Sequence, residues 1–208
     1  MNLSLDTGVI PSDFKIARVT PVYKGKGSKW EESNYRPISV LPTLAMILEK
    51  EVQKQILDYF IQHDLISIDQ FAYLKNHSSI SCLHRLLDDW LEAINNGEYV
   101  MSCFTDVKKC FDTIDHEILL HKLKLYGIND LEHMWFKNYL NNRKQFVFAN
   151  GFSSNTSHVT TGVPQGSALG PFLFLIFIND MPQHMKYSQC NMFADDNSLN
   201  TSDTKCNF

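Results

Sequence analysis

The stretch Phe104-Thr-Asp-Val-Lys-Lys-Cys-Phe-Asp-Thr-Ile-Asp-His116 decides the reading of this chain. Upstream of it, Tyr99 to Thr105 reads as a buried strand with Asp106 at its end. Downstream, Asp115 reads as a helix cap with Glu117 in the first turn, opening a helix through Leu119 and Leu123 to Gly127. An acid at the end of a buried strand is costly unless something pairs with it. Further along, Gln189 to Phe193 reads as a short strand entering Asp195-Asp196. Two such strands side by side bring three carboxylates together. Like charges that close repel and raise one another's pKa. A divalent cation relieves the repulsion, and Mg²⁺ favours a few carboxylates plus substrate phosphate oxygens. Taken singly, each acid has a plainer reading: Asp195-Asp196 as a hairpin turn, Asp106 as a strand-end cap, and Asp112 without a role.

A third stretch shifts the balance. Thr160-Thr-Gly-Val-Pro-Gln-Gly-Ser-Ala-Leu-Gly-Pro171 sets two glycines around Pro164-Gln165, ahead of a helix start. Such a loop lets backbone approach a ligand closely, and a helix N-terminus favours phosphate. Gln165 donates and accepts from one position. The plainer reading is a loop-to-helix capping sequence with Ser167 as cap, which needs only one of these glycines.

Working outward, residues 1–14 read as a lead-in. Ile16 to Tyr23 reads as a strand, followed by the basic turn Lys24-Gly-Lys-Gly-Ser-Lys29. Apolar residues at 44, 48, 52, 56 and 60 have a helical period, with Thr43 as cap. Ile80, Leu83, Leu87, Trp90, Leu91 and Ile94 line one face of a second helix, stopped at Asn95-Asn-Gly97. Leu131 to Leu140 reads as a short helix, and Lys144 to Asn150 and Ser157 to Thr161 as two strands. A buried helix begins between Ser167 and Pro171 and runs to about Asp180. Strands and helices alternate without a βαβ rhythm, so the predicted class is α+β.

Composition narrows the function classes. The chain has 208 residues, 44% of them apolar and 20% charged, within the range of a globular domain. The net charge of −4 speaks at first against a nucleic-acid binder. It hides a partition: residues 14–36 hold six cations against two acids, and residues 88–117 hold eight acids against two lysines. The longest apolar run, Ala168 to Ile178, is too short for a membrane span of roughly 20 residues. No membrane association or signal peptide is expected. Cys82, Cys103, Cys110, Cys190 and Cys206 form no CxxC pair, which points to free thiols and an intracellular setting, nuclear or cytoplasmic.

The first of these stretches, the segment Gly162-Val-Pro-Gln-Gly-Ser-Ala-Leu-Gly-Pro171 and Phe193-Ala-Asp-Asp196 resemble three successive core motifs of reverse transcriptases. They are most similar to those of non-LTR, LINE-type retrotransposons, in particular the jockey-like group. Asn34-Tyr-Arg-Pro-Ile-Ser-Val-Leu41 resembles the fingers motif preceding them, and Phe136-Lys-Asn-Tyr-Leu-Asn-Asn-Arg-Lys-Gln-Phe-Val147 the linking segment. The likeness covers about residues 14 to 200. Cys110 stands where the family commonly has Ala, a small-for-small exchange.

The resemblance implies the fingers and palm of a right-hand polymerase, with an antiparallel palm sheet packed on helices. Residues 1–13 would be a lead-in, 14–97 fingers and early palm, and 98–208 palm, cut off before the thumb. Asp106, Asp195 and Asp196 would be the catalytic carboxylates, holding two Mg²⁺ ions for which Mn²⁺ can substitute. One ion would lower the pKa of the primer 3′-OH and the other would neutralise the triphosphate. Phe111 would be a steric gate against a ribose 2′-OH, which disfavours an RNA-dependent RNA polymerase. Gln165 and Gly166 would sit by the incoming sugar or template base, and Lys24 and Arg36 would grip the triphosphate. Lys26 and Lys29 are rivals to Lys24. Implied partners are an RNA template, a DNA primer, dNTPs and a larger polyprotein with an endonuclease. The alternative is a catalytically silent remnant that at most binds nucleic acid.

Overall fold

The computed structural model describes residues 2–107 and 109–204. In chain order the elements are α1 (Asn2–Thr7), β1 (Ile16–Tyr23), β2 (Tyr35–Val40), α2 (Thr43–Gln62), α3 (Ser79–Asn95), β3 (Tyr99–Asp106), α4 (His116–Leu125) and α5 (Asp130–Leu140). They continue with β4 (Arg143–Ala149), β5 (Phe152–Ser153), β6 (Ser157–Val159), α6 (Gly170–Ile178), β7 (Gln189–Phe193) and β8 (Asp196–Asp203). The class is α+β, as the sequence predicts. The chain forms two compact units, each assembled from two separated stretches: residues 1–59 with 111–173, and residues 60–110 with 174–208.

The first unit holds a five-stranded sheet in the order β2-β1-β4-β5, with β6 also on β4. β1 pairs antiparallel with β2, from Arg18 opposite Val40 to Tyr23 opposite Tyr35. It pairs in parallel with β4, from Ile16 opposite Lys144 to Val19 opposite Val147. Strand alternation sends Ala17 and Val19 inward and Ile16 and Arg18 outward. On α2, Leu48, Val52 and Ile56 are buried as the helical period predicts, whereas Leu44 is exposed. Thr43 is the first residue of that helix rather than its cap, and Met46 N–H donates to Pro42 at 3.1 Å. The lead-in is itself structured: α1 packs on α5, with Trp135 Nε1 donating to Ser4 Oγ. Asp115 caps α4 as expected, accepting from Glu117 N and Ile118 N at 2.8 and 2.9 Å.

The second unit is an antiparallel sheet in the order β3-β8-β7, with α3 packed on β3 and β7. A capping box between Ser78 and Ser81 starts α3, and Gly97 at φ 76° follows its end. One reading is refined here and one corrected. The apolar stripe of α3 is one face, but Ile80, Leu83, Leu87, Leu91 and Ile94 are exposed, and Leu86 and Ala93 are the buried residues. Nor is β3 buried: it is an edge strand, with Tyr99, Met101 and Phe104 exposed. The outer edge of β7 is covered, because Met192 exchanges backbone hydrogen bonds with Asp69 and Phe71.

Among the described residues, no helix is long and apolar enough to cross a membrane. Cys82, Cys103, Cys110 and Cys190 form no disulfide, and Cys206 lies outside the described residues.

Candidate active site

The three acids singled out by sequence all lie in the second unit, at one end of its sheet. Their strands are not side by side as expected: β8 runs between β3 and β7. The effect is nonetheless a convergence. Asp106, last in β3, is directly opposite Asp196, first in β8. Directly opposed residues point to the same face, with Cβ atoms about 5 Å apart. Asp195 is the second residue of the two-residue turn, Ala194-Asp195, that joins β7 to β8, and Asp196 follows it as the first residue of β8. Its carbonyl accepts from Val107 N at 3.2 Å, carrying the β3–β8 ladder one step past the acids. The hairpin turn thus falls one residue earlier than Asp195-Asp196, with Asp195 in the turn and Asp196 in the strand.

The turn is strained. Ala194 sits at φ 57°, a left-handed conformation that costs an L-residue roughly 1 kcal/mol. Asp106 and Asp196 are exposed and Asp195 half-buried. Tyr73 neighbours Asp195: burial raises its hydroxyl pKa first, and the negative charge of Asp195 raises it further. No motif marks Tyr73 in the sequence. Among the described residues, no group of three His, Cys, Asp or Glu is gathered closely enough to hold a metal ion by itself. The opposed pair is the donor set Mg²⁺ uses, since it binds through one or two carboxylates and takes its other ligands from water and substrate phosphates.

The Gly162–Pro171 loop lies in the first unit, zipped to residues 111–116. Gly162 N donates to Ile114 O at 2.8 Å and Val163 N to Phe111 O at 2.7 Å. His116 Nε2 is 2.7 Å from Gly162 O, and because a carbonyl only accepts, that nitrogen carries the proton. On the other side, Ser39 N donates to Gln165 O at 2.7 Å. Both glycines are explained by these contacts rather than by an open cradle. A Cβ on Gly162 would meet Asp112 backbone at 2.6 Å, and one on Gly166 would meet Ser39 O at 2.7 Å. Both also have positive φ. Ser167 caps the following helix, its Oγ accepting from Gly170 N at 2.8 Å.

A buried carboxylate that sequence reading passed over holds this loop from below. Glu49 of α2 is 3% exposed. It accepts from Ala168 N at 2.8 Å and from Tyr139 Oη at 2.9 Å. Burial pushes its pKa up, against the lowering effect of these hydrogen bonds and of Arg143. Arg143, 1% exposed, lies 4.6 Å over the Tyr139 ring and donates to Tyr139 O. Glu49 sits one position after buried Leu48 in an otherwise amphipathic helix, which is the signal that could have marked it.

The predicted phosphate-gripping residues also lie in the first unit. Lys24 Nζ donates to Ser33 O at 2.7 Å, and Lys29 lies 5.8 Å from the Tyr23 ring centroid. Arg36 stands opposite Val22 in the β1–β2 ladder, exposed, and its guanidinium has no partner among the described residues. Phe111 is half-buried.

The reverse transcriptase (RNA-dependent DNA polymerase) family matches residues 24–206. The chain belongs to that family. It is 32% identical over 207 residues to the RNA-directed DNA polymerase from mobile element jockey of Drosophila melanogaster, covering 96% of this chain and 22% of that protein. The jockey polymerase of Drosophila funebris is 35% identical over 181 residues, covering 87% of this chain and 20% of that protein. The chain thus spans about a fifth of the length of these relatives. As a fold, this reverse transcriptase segment is similar to Candida tropicalis telomerase solved with a fragment of telomeric RNA. The TM-score is 0.69 at 12% identity, over 95% of this chain and 37% of that one. Candida albicans telomerase gives 0.65 at 14% identity, over 94% of this chain and 40% of that one.

Proposed function

We propose that this segment is the nucleotidyl-transfer core of an RNA-directed DNA polymerase of a non-LTR retrotransposon, extending a DNA primer on an RNA template with dNTPs. The observation that carries the proposal is the opposed pair Asp106–Asp196 beside Asp195 in a strained hairpin, within a chain of the reverse transcriptase family. Asp106, Asp195 and Asp196 are the residues for two Mg²⁺ ions, or Mn²⁺ in their place. Their all-oxygen, anionic donor set suits hard cations, and the substrate's phosphates complete it. When bound, the metal supplies neutralisation of the triphosphate and a lowered pKa at the attacking hydroxyl.

The chain's own residues do the rest. Arg36 offers a free bidentate fork to phosphate oxygens, and Lys24 adds a point charge. The Phe111 ring occupies the space a 2′-OH would need. Gln165 and Gly166 border the sugar or the template base. Positioning and charge stabilisation supply most of the rate in such phosphoryl transfers. The segment works within a longer polypeptide that also carries an endonuclease.

The test is primer extension on an RNA template by a polypeptide carrying the segment. Incorporation of dNTP should exceed that of rNTP, and Phe111→Ala should narrow the difference. Equal discrimination in Phe111→Ala removes the gate assignment.

A further inference from the structure

The sequence alone assigns Asp112 no role, and the fold gives it one. Its Oδ1 accepts from Gln165 Nε2 at 3.0 Å, in a half-buried position. A carboxylate only accepts, so this contact sets which end of the Gln165 amide faces it. The Nε2 end is turned toward Asp112, and Oε1 is the end left to offer. The rest of Gln165 is held as well. Its carbonyl accepts from Ser39 N, and the next residue, Gly166, lies against Ser39 O so closely that no side chain fits. Asp112 is likewise fixed: its own carbonyl accepts from Thr161 Oγ1 at 3.2 Å, and its backbone packs on Gly162. Two rigid backbones thus hold a donor–acceptor pair of side chains in one orientation.

We propose that Asp112 is a positioning residue that locks the Gln165 amide so that Oε1 is presented to a hydroxyl donor on the bound nucleic acid or nucleotide. This rests on the proposed polymerase function. Two hydroxyls share that chemistry: the sugar 3′-OH of the incoming nucleotide and the 2′-OH of the RNA template. Without Asp112, either end of the amide can face the ligand, and when the N–H₂ end does, it can only donate to the hydroxyl oxygen and the hydroxyl proton loses its acceptor.

The experiment measures binding of primer–template plus dNTP and Mg²⁺, by fluorescence polarisation, to the same polypeptide carrying the segment that is used for primer extension. It compares the native sequence with Asp112→Ala, Asp112→Asn, Gln165→Ala and the double alanine variant, each checked for folding by circular dichroism. Asp112→Ala and Gln165→Ala should each weaken ternary binding about tenfold, the scale of one lost hydrogen bond. The double variant should be no weaker than either single one. Asn keeps an acceptor for Nε2, so Asp112→Asn should restore binding to within about threefold. Replacing dNTP by its dideoxy analogue, or the RNA template by DNA, identifies the hydroxyl: the arm that loses the Asp112 effect is the one that removed the donor. Additive losses in the double variant, or Asp112→Ala binding as the native chain does, overturn the positioning role. Failure of the native polypeptide to bind any primer–template overturns the polymerase reading itself, and the positioning role with it. If Asp112→Ala does not fold, Asp112→Asn and Asp112→Leu carry the comparison: Leu weak and Asn near native supports the proposal, and both alike overturns it.

Discussion

Asp106 and Asp196 stand directly opposite one another as the last pair of the β3–β8 ladder, and both are exposed. Like charges in opposed positions destabilise a strand pair. The ladder keeps them there at a turn that already strains Ala194. Locally unfavourable choices gathered at one point are expected where function, rather than stability, selects the residues.

Replacing one of the pair should therefore help the fold and harm the chemistry. Asp196→Asn is expected to stabilise the metal-free chain by about 0.3 kcal/mol. In thermal melts with dNTP, added Mg²⁺ should raise the midpoint of the native chain and not that of Asp196→Asn, because a ligand that binds only the folded state stabilises it. Equal metal-induced shifts would place the ion elsewhere.

The loop glycines give a test by contrast. Gly162 and Gly25 both have positive φ, but a Cβ on Gly162 would collide with Asp112 backbone while one on Gly25 meets nothing within 4 Å. Gly25→Ala should cost about 1 kcal/mol from backbone strain alone. Gly162→Ala should cost about 3 kcal/mol in urea denaturation, since backbone on both sides must move. Equal losses would mean that the loop does not pack on Asp112.

Adjacent leucines on α3 separate periodicity from burial. Leu86 is 5% exposed and Leu87 40%. Leu86→Ala should lower stability by about 2–5 kcal/mol, and Leu87→Ala by under about 1 kcal/mol. Reversed magnitudes would put the stripe Ile80–Ile94 in the core after all.

Glu49 predicts a pH dependence. Burial raises its pKa in the folded chain above the ordinary 4.5. The folded state then binds more protons than the unfolded state between the two values, so stability falls as pH rises through that window. The contribution is complete below the unfolded value and is lost as pH climbs through the raised folded one. Urea midpoints followed over about pH 4 to 8 should drop in the native chain relative to Glu49→Gln, which cannot ionise. Parallel curves would contradict a buried carboxylate at this position.

Much of the fold could be read from residues because local chemistry decides it. β1 and β7 fall on Ile16–Tyr23 and Gln189–Phe193 as read, bounded by turns, and Asp115 caps α4. The exposure of the α3 stripe could not be read, because spacing tells which residues share a face and not what covers it. β8 was unreadable for another reason: Asp-Asn-Ser-Leu-Asn-Thr-Ser-Asp has low strand propensity, and pairing on both sides holds it in the sheet. The acids and Gln165 were visible as motifs. Asp112 was not, because its partner lies 53 residues away in the chain. The glycines showed where the backbone must be bare, but not that Asp112 and Ser39 fill the space.

The proposed nucleotidyl-transfer centre is Asp106, Asp195 and Asp196. Primer extension on an RNA template, with Mg²⁺ and dNTPs, tests it most directly in a polypeptide carrying this segment, set against Asp106→Asn and the double change Asp195→Asn with Asp196→Asn. Extension should require the metal and fall by more than about 100-fold in each variant, with the fold intact by circular dichroism. Extension at the native rate in the double variant would contradict it.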